Sequence, residues 1–450
     1  MIYDVVIIGA GAAGLAAAYN AAKDSQLSIL VLEKEKFPGR KLSAAGNGRC
    51  NLTNQFFDHS CYHSESPDLL SDWIERHSYK EVFTFFDAIG VPLYETNGYF
   101  YPLSNQGRQV TELLYLRCRE KGVHFAFEQR VKELSPPLFT EGQKPEVYEE
   151  NKNKSLYHIL AMNKEGEEIT YQALRVILAT GGRAAPKLGG SDSSERLLKN
   201  FQLEWEQSYS ALSPIYVDDS SLKLAKGVRL DAFVTLNTER FGKIKERGQV
   251  QINENRLSGI VVMNMSCYYN REQALKARHN KEKQIAGSQK IHKPPTEDKY
   301  DLYLDVFPDI SWDRLRDYIS VQRENFPEET VFFLLKGILP EGFADYITKR
   351  LVYTRDMTVS KLGEKQLNRL VSTLKKLTFR AIYTEDYERA QTTGGGVALS
   401  EVDVKGFQSI HYPGLYIVGE ALDICGKCGG YNLTFAILSG IAAANAIVKG

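Results

Sequence analysis

The chain opens on apolar, mostly β-branched positions at residues 3–8, breaks on the glycines of GAGAAG at 9–14, and continues as an alanine-rich segment at 15–23. A second apolar run at 27–32 ends on Glu33. Unbroken apolar strands alternating with helices mark a parallel sheet buried on both faces, because such a strand has no wet side to fill with polar residues. Helical spacing of apolar positions follows at 68–90 and 110–121, and short strands are predicted around 123–133 and 157–162. Residues 135–155, rich in Pro, Glu, Lys and Asn, read as a solvated hairpin excursion. Another apolar strand at 175–179 closes on Thr180-Gly181-Gly182.

From about Ser193 the pattern changes. Residues 228–236, 248–252 and 300–307 read as strands without long helices between them, which leaves an antiparallel barrel and a sandwich both open. Residues 311–374 are strongly helical, with breaks at Pro327 and Pro340, and 377–390 return to strand-like sequence. Residues 414–448 resume the strand–turn–helix style of the N-terminus, so the middle reads as an insertion between two ends that belong together. Residues 276–299 hold seven Lys or Arg against three acids, plus Pro294-Pro295. We read them as a mobile surface loop in preference to a binding arm.

Composition narrows the class. The 450 residues give a prior of about three domains. Lys+Arg 56 against Asp+Glu 56 removes the overall basic footprint of a nucleic-acid or anionic-membrane binder, so neither partner is expected. The six scattered cysteines offer no disulfide framework and fit a reducing compartment, the cytoplasm. Two uncharged stretches, 5–22 and 428–448, are punctuated by Gly and Asn and read as buried strand–turn–helix material.

The chemistry starts at Gly9-x-Gly11-x-x-Gly14. Gly9 permits a tight turn, Gly11 lets backbone approach a pyrophosphate, and Gly14 allows close helix–sheet packing. Ala12 and Ala13 open the helix whose free N–H groups favour phosphate. Glu33, followed by Lys34, lies about 20 residues further on, where a carboxylate accepts from ribose hydroxyls and repels a ribose phosphate. That selects FAD or NAD over NADP. Three later segments select FAD: the strand and turn ending at Thr180-Gly181-Gly182, the strand ending at Gly419-Glu420, and Gly429-Gly430-Tyr431-Asn432-Leu433. The last of these opens the final helix, whose N-terminus suits the charge on a reduced flavin.

These and further motifs resemble bacterial FAD-binding flavoproteins, the family that includes aminoacetone oxidases and a proposed bile-acid enone reductase. The resemblance rests on Gly39-Arg-Lys-Leu42, Gly46-Asn-Gly-Arg-Cys-Asn-Leu-Thr-Asn54, Phe100-Tyr-Pro102, Gly394-Gly-Gly-Val397 and Gly419-Glu-Ala-Leu-Asp423, besides the segments above. It implies an α/β fold: a Rossmann-like FAD-binding domain interrupted by an inserted β-barrel domain that carries a helical subdomain. The implied boundaries are 1–192 and 391–450 for the FAD domain, 193–309 and 373–390 for the barrel, and 310–372 for the helices. By the same resemblance Arg40, Lys41, Gly46, Asn47, Gly48, Arg49, Cys50 and Asn51 lie along the FAD. Gly419, Glu420, Asp423, Gly430, Tyr431, Asn432 and Leu433 hold its flavin end. Val131 and the Thr180-Gly181 turn complete the expected contacts.

No second GxGxxG occurs between residues 60 and 390, so NAD(P)H is expected only as a transient reductant. No H-E-x-x-H or paired CxxC spacing points to a metal, and no G-x-S-x-G is present. Cys425-Gly-Lys-Cys428 offers a redox pair, but packing is the favoured role, and Cys50 likewise reads as a small buried residue. The eight histidines lie outside the strong motifs, and no catalytic acid or base is identified. The sequence thus points to an FAD-dependent oxidoreductase acting on a small organic molecule. NAD(P)H-driven reduction of a conjugated carbonyl compound leads, and O2-dependent oxidation of an amine of the aminoacetone type is the alternative. A flavoprotein acting on RNA, a non-catalytic flavin scaffold and a dithiol oxidoreductase stand further back.

Overall fold

Val5, Val6 and Ile7 have no exposed surface, and their strand, Ile2–Ile8, runs through the middle of a parallel sheet. Ile29–Leu32 and then His124–Ala126 lie on one side of it, and Glu168–Leu178 and then Leu415–Ile417 on the other. Val6 sits opposite both Leu30 and Val176. Burying a side chain of this kind on both sheet faces contributes about 1.5–3 kcal/mol each. Short antiparallel strands, Tyr157–Met162 and Arg130–Ser135, extend the sheet beyond Glu168–Leu178.

The structure is a computed structural model that describes residues 2–23, 26–137, 156–285 and 302–449. The chain divides into two compact units, Met1–Ser210 with Ala390–Gly450, and Ala211–Arg389. In the first unit the strand Trp205–Ala211 pairs with Thr392–Val397, which ties chain beyond Ser193 to the returning C-terminal segment. Helices Ala12–Ala22 and Tyr431–Lys449 approach so closely that a Cβ on Gly440 would lie 2.3 Å from the Ala13 carbonyl oxygen. The second of these helices is long and apolar enough to cross a membrane, yet it packs as a core helix, with Leu438, Ala443 and Ala444 buried.

The second unit is built on a seven-stranded antiparallel sheet. Its order is Leu377–Phe379, Leu302–Asp305, Arg229–Asn237, Lys243–Ile252, Arg256–Ser258, Ile215–Val217 and Ala381–Ile382. Helices Trp312–Asn325, Val331–Lys336, Glu341–Arg350 and Glu364–Lys375 share one apolar cluster with this sheet. The expected barrel is not closed among the described residues. The first and last strands in that order, Leu377–Phe379 and Ala381–Ile382, are separated by Arg380 and share no ladder. The basic stretch 276–299 also differs from expectation, since the helix Ile260–Ile285 takes its first ten residues. Residues 286–299, and most of the 135–155 excursion, lie outside the described residues.

Candidate dinucleotide site

The three glycines of the first turn divide into two kinds. Gly9 has φ +106°, and a Cβ there would lie 2.5 Å from the Ala179 carbonyl oxygen. A Cβ on Gly14 would sit 1.9 Å from the Gly9 carbonyl oxygen. Both are required by the packing of turn, helix and neighbouring strand. A Cβ on Gly11 would meet nothing within 4 Å. Gly11 caps the helix Ala12–Ala22 without any side-chain cap, so the first-turn N–H groups remain available on its open side.

Glu33 ends the second strand and is buried beside this turn. One oxygen accepts from the Ala10 N–H at 2.7 Å and the other from the Glu35 N–H at 2.9 Å. Burial pushes its carboxyl up and the two N–H groups oppose that shift. Lys34 donates to Ser191 Oγ at 2.9 Å, and burial draws its ammonium down. Val131 is buried on the strand that follows Gln129, whose N–H bonds to the Glu33 carbonyl at 2.9 Å. Thr180 Oγ1 lies 2.6 Å from Ser194 Oγ, and space beside Gly181, φ +70°, is open. Gly419 is brought against the same turn, since a Cβ on it would lie 3.1 Å from the Ala13 Cβ.

Arg40 and Lys41 begin the short helix Arg40–Ala44. Arg40 pairs with Glu35 at 2.6 Å and donates to the Lys187 carbonyl. Lys41 pairs with Glu420 at 2.6 Å. The following segment is a run of left-handed backbone: Gly46, Asn47, Gly48 and Cys50 all have positive φ. Arg49 lies over the Tyr101 ring at 4.5 Å and donates to Asn105 and Tyr94. Cys50 is fully buried against the Leu42 carbonyl, and burial pushes its thiol up to about 12. It is a packing thiol, as its sequence context implied.

At the far end of the site, Tyr431 and Leu433 begin the last helix, and Gly430 is pressed on the backbone of Thr53. Tyr62 donates to the Tyr431 carbonyl at 3.1 Å. Burial, then the neighbouring Cys61, raise the Tyr431 phenol. Asn432 donates to the Gly426 carbonyl and accepts from the Gly426 N–H, both at 2.8 Å, which occupies its amide within the protein. Asp423 is occupied too, accepting from the Glu65 N–H at 2.6 Å and Ser64 Oγ at 3.2 Å. None of the six cysteines is in a disulfide: Cys425 is buried in a short strand paired to Tyr62–His63, and Cys428 is half-buried.

A small, partly open cleft is lined by Gly181, Gly182, Thr393, Gly395, Gly396 and Glu420. Glu420 accepts from the Thr393 N–H at 3.0 Å, and Thr393 Oγ1 accepts from the Ala184 N–H at 2.9 Å. The sequence singled out Gly394-Gly-Gly-Val397 but not the two threonines before it, whose only signal was adjacency to those glycines. Among the described residues, Thr392 Oγ1, Asn51 Oδ1 and Gln129 Oε1 are buried without a hydrogen-bond partner. Such groups are costly unless a ligand or water meets them. These unmet polar atoms and the open space at Gly11 fit a polar group such as FAD bound along this turn. No group of three or more metal-ligating side chains occurs among the described residues.

The description of an HI0933-like protein Rossmann domain matches residues 3–446. The chain belongs to the HI0933-like family. It is an FAD-dependent oxidoreductase of that family. It is 30% identical over 98% of its length to a 3-dehydro-bile acid delta(4,6)-reductase of Clostridium scindens, covering 98% of that protein. A ribosomal RNA dihydrouridine synthase of Escherichia coli is 24% identical over 99% of this chain and 98% of its own. Among solved structures, a 3-ketosteroid delta1-dehydrogenase of Sterolibacterium denitrificans superposes with TM-score 0.49 and 13% identity, covering all of this chain and 99% of that one.

Proposed function

We propose that this HI0933-like flavoprotein reduces a carbon–carbon double bond conjugated to a carbonyl group, with NAD(P)H as the transient reductant. The observation that carries the cofactor reading is the open face of Gly11, flanked by two glycines that packing demands. The reaction class draws support from the relatives. A delta(4,6)-reductase of 3-dehydro bile acids and a dihydrouridine synthase both saturate an electron-poor double bond in conjugation with a carbonyl.

Bound FAD supplies hydride chemistry at its N5. The chain's own groups do the rest. We assign the pyrophosphate to Gly9, Gly11, Ala12, Ala13 and Gly14, and the ribose to Glu33, with Lys34, Val131, Thr180 and Gly181 alongside. Arg40, Lys41 and the 46–51 segment line its length, and the Gly419-Glu420 turn and residues 430–433 border the flavin end. Asp423 and Asn432 act there by holding backbone in place. Tyr431 is a neutral phenol at any working pH, since burial keeps its proton on. Six cysteines with no disulfide among them suit a reducing compartment, and we place the protein in the cytoplasm.

The test is NADPH consumption by the FAD-loaded protein without oxygen, with a 4-en-3-one steroid and with uridine-containing RNA offered in turn. Consumption dependent on either supports the reading. Consumption with neither, together with oxygen uptake on adding aminoacetone, replaces it with amine oxidation.

A further inference from the structure

We propose that Tyr431 is the proton donor of the reduction and that Cys61 reloads it from solvent. This rests on the reductase reading and deepens it, because saturating a conjugated double bond consumes a proton beside the hydride.

The β-carbon of the conjugated compound takes the hydride that NAD(P)H delivers through bound FAD, and the α-carbon takes a proton. A protein group placed at the flavin end can hold that proton ready. Around that end, the other acidic side chains discussed above are engaged or closed off. Glu420 is paired with Lys41 at 2.6 Å, and Asp423 accepts from the Glu65 N–H and Ser64 Oγ. Cys50 is fully buried, and buried Tyr62 donates its hydroxyl to the Tyr431 carbonyl at 3.1 Å.

Tyr431 opens the last helix directly after Gly429 and Gly430. A Cβ on Gly429 would lie 3.1 Å from Tyr431 Cε2 and 3.1 Å from Tyr99 Cε1, so the two rings close over this turn. The Tyr62 ring meets Tyr431 edge-on, with centroids 5.7 Å apart. Held on these sides, Tyr431 is 6% exposed, and its hydroxyl donates to the Cys61 sulfur. Cys61 is only partly buried, and its thiol lies 3.8 Å from the carbonyl oxygen of exposed Phe56. The Lys427 N–H bonds the Cys61 carbonyl at 2.8 Å, which ties the thiol's segment to the one leading into the helix. Phenol, thiol and protein surface therefore follow one another.

The order of these groups suits proton delivery. Burial keeps the phenol protonated until a strong base reaches it, and the α-carbon is one once the β-carbon has taken hydride. The phenolate left behind sits at the N-terminus of a 19-residue helix, whose positive dipole end favours it. A thiol is ordinarily a stronger acid than a phenol, so the proton then passes from Cys61 to Tyr431. The Tyr431 O–H bond breaks as the C–H bond forms, the Cys61 S–H bond breaks as that O–H re-forms, and water restores the thiol. One NAD(P)H and one proton are consumed.

The experiment follows the two half-reactions of the FAD-loaded full chain separately in an anaerobic stopped-flow cell. Tyr431→Phe is expected to keep its FAD and to bleach with NADPH within about twofold of the parental rate. Its flavin bands are expected to return with a conjugated carbonyl compound at least about a hundredfold more slowly. With ferricyanide, which takes electrons and no proton, they are expected to return at the parental rate. Cys61→Ala is expected to leave the first return unchanged and to slow steady turnover about tenfold, with Cys61→Ser restoring most of it. Tyr431→Phe bands that return with the conjugated compound at the parental rate overturn the assignment, as does the same loss appearing in Tyr99→Phe instead. Loss of FAD from Tyr431→Phe, or equal slowing with ferricyanide, overturns it in favour of a structural role. Parental turnover in Cys61→Ala removes the reloading step. In all these cases the parent still reduces the compound and the reductase reading stands. Parental bands that return with ferricyanide but not with the compound end both.

Discussion

Lys41 Nζ lies 2.6 Å from Glu420 Oε2, although 379 residues separate the two in the chain. The pair joins the segment after the second strand to the segment after the last parallel strand. Glu420 also holds the Thr393 N–H, so one carboxylate fixes two walls of the cleft. Both side chains are partly exposed, and solvent screening limits the ion pair to about 1 kcal/mol. A double-mutant cycle with Lys41→Met and Glu420→Gln, read by denaturant midpoints, is expected to show coupling of that size. Glu420→Gln alone is expected to weaken FAD retention more than Lys41→Met does, because it also loosens Thr393.

Gly11 and Gly14 make opposite demands. Gly11→Ala places its methyl in open space at φ −77°, which any residue adopts. The apoprotein is expected to keep its melting temperature while FAD affinity falls at least about tenfold, the cost of crowding a pyrophosphate contact. Gly14→Ala drives the methyl into the Gly9 carbonyl oxygen and is expected to destabilise the apoprotein itself by about 1–3 kcal/mol. Apo melting curves and flavin-to-protein absorbance ratios separate the two. Equal loss of apo stability in both variants contradicts the division.

This part of the site was legible because the chemistry is local. Turn, strand end and acid recur at spacings fixed by one βαβ unit, and the motifs at 46–54, 419–423 and 429–433 are unusual enough to place. The unpartnered Thr392 hydroxyl was not legible, since a threonine before three glycines carries no mark of what meets it in space. Nor was the split between the second sheet's two end strands. Strands of two and three residues either side of Arg380 give too little alternation to separate from one longer strand. The helical residues 276–285 were hidden by their charge, which resembles a loop when the opposite helix face is not in view.

Thr392→Val tests the unpaired hydroxyl. It removes a buried polar group with no partner in the apoprotein, so apo stability is expected to hold or rise, by up to about 1 kcal/mol. If bound FAD meets that hydroxyl, affinity falls in the same variant. A drop in apo stability with unchanged FAD binding contradicts the assignment.

The buried thiols set an alkaline limit. Burial holds Cys50 at about 12 against an ordinary 9.0, so its stabilising contribution is complete below pH 9.0 and is lost as pH rises toward about 12. Between those values the unfolded chain releases a proton that the folded chain keeps, which costs about 1.4 kcal/mol per pH unit. Denaturant midpoints measured above pH 9.0 are expected to fall less steeply for Cys50→Ser than for the parent. Identical slopes contradict the burial of the thiol.

Cys425 and Cys428 form no disulfide, and no step of the reduction uses them. Cys425→Ser and Cys428→Ser are each expected to retain NADPH-driven turnover within about twofold. Loss of turnover in both, with FAD still bound, revives a dithiol mechanism.

In the proposed reaction the flavin passes electrons from NADPH to a conjugated double bond. The most direct measurement is the visible spectrum of the FAD-loaded protein in an anaerobic cuvette, bleached with one equivalent of NADPH and then mixed with a conjugated carbonyl compound or its saturated analogue. The flavin bands are expected to return with the conjugated compound and to stay bleached with the saturated one. Bands that never bleach with NADPH, or that return equally with both compounds, contradict it.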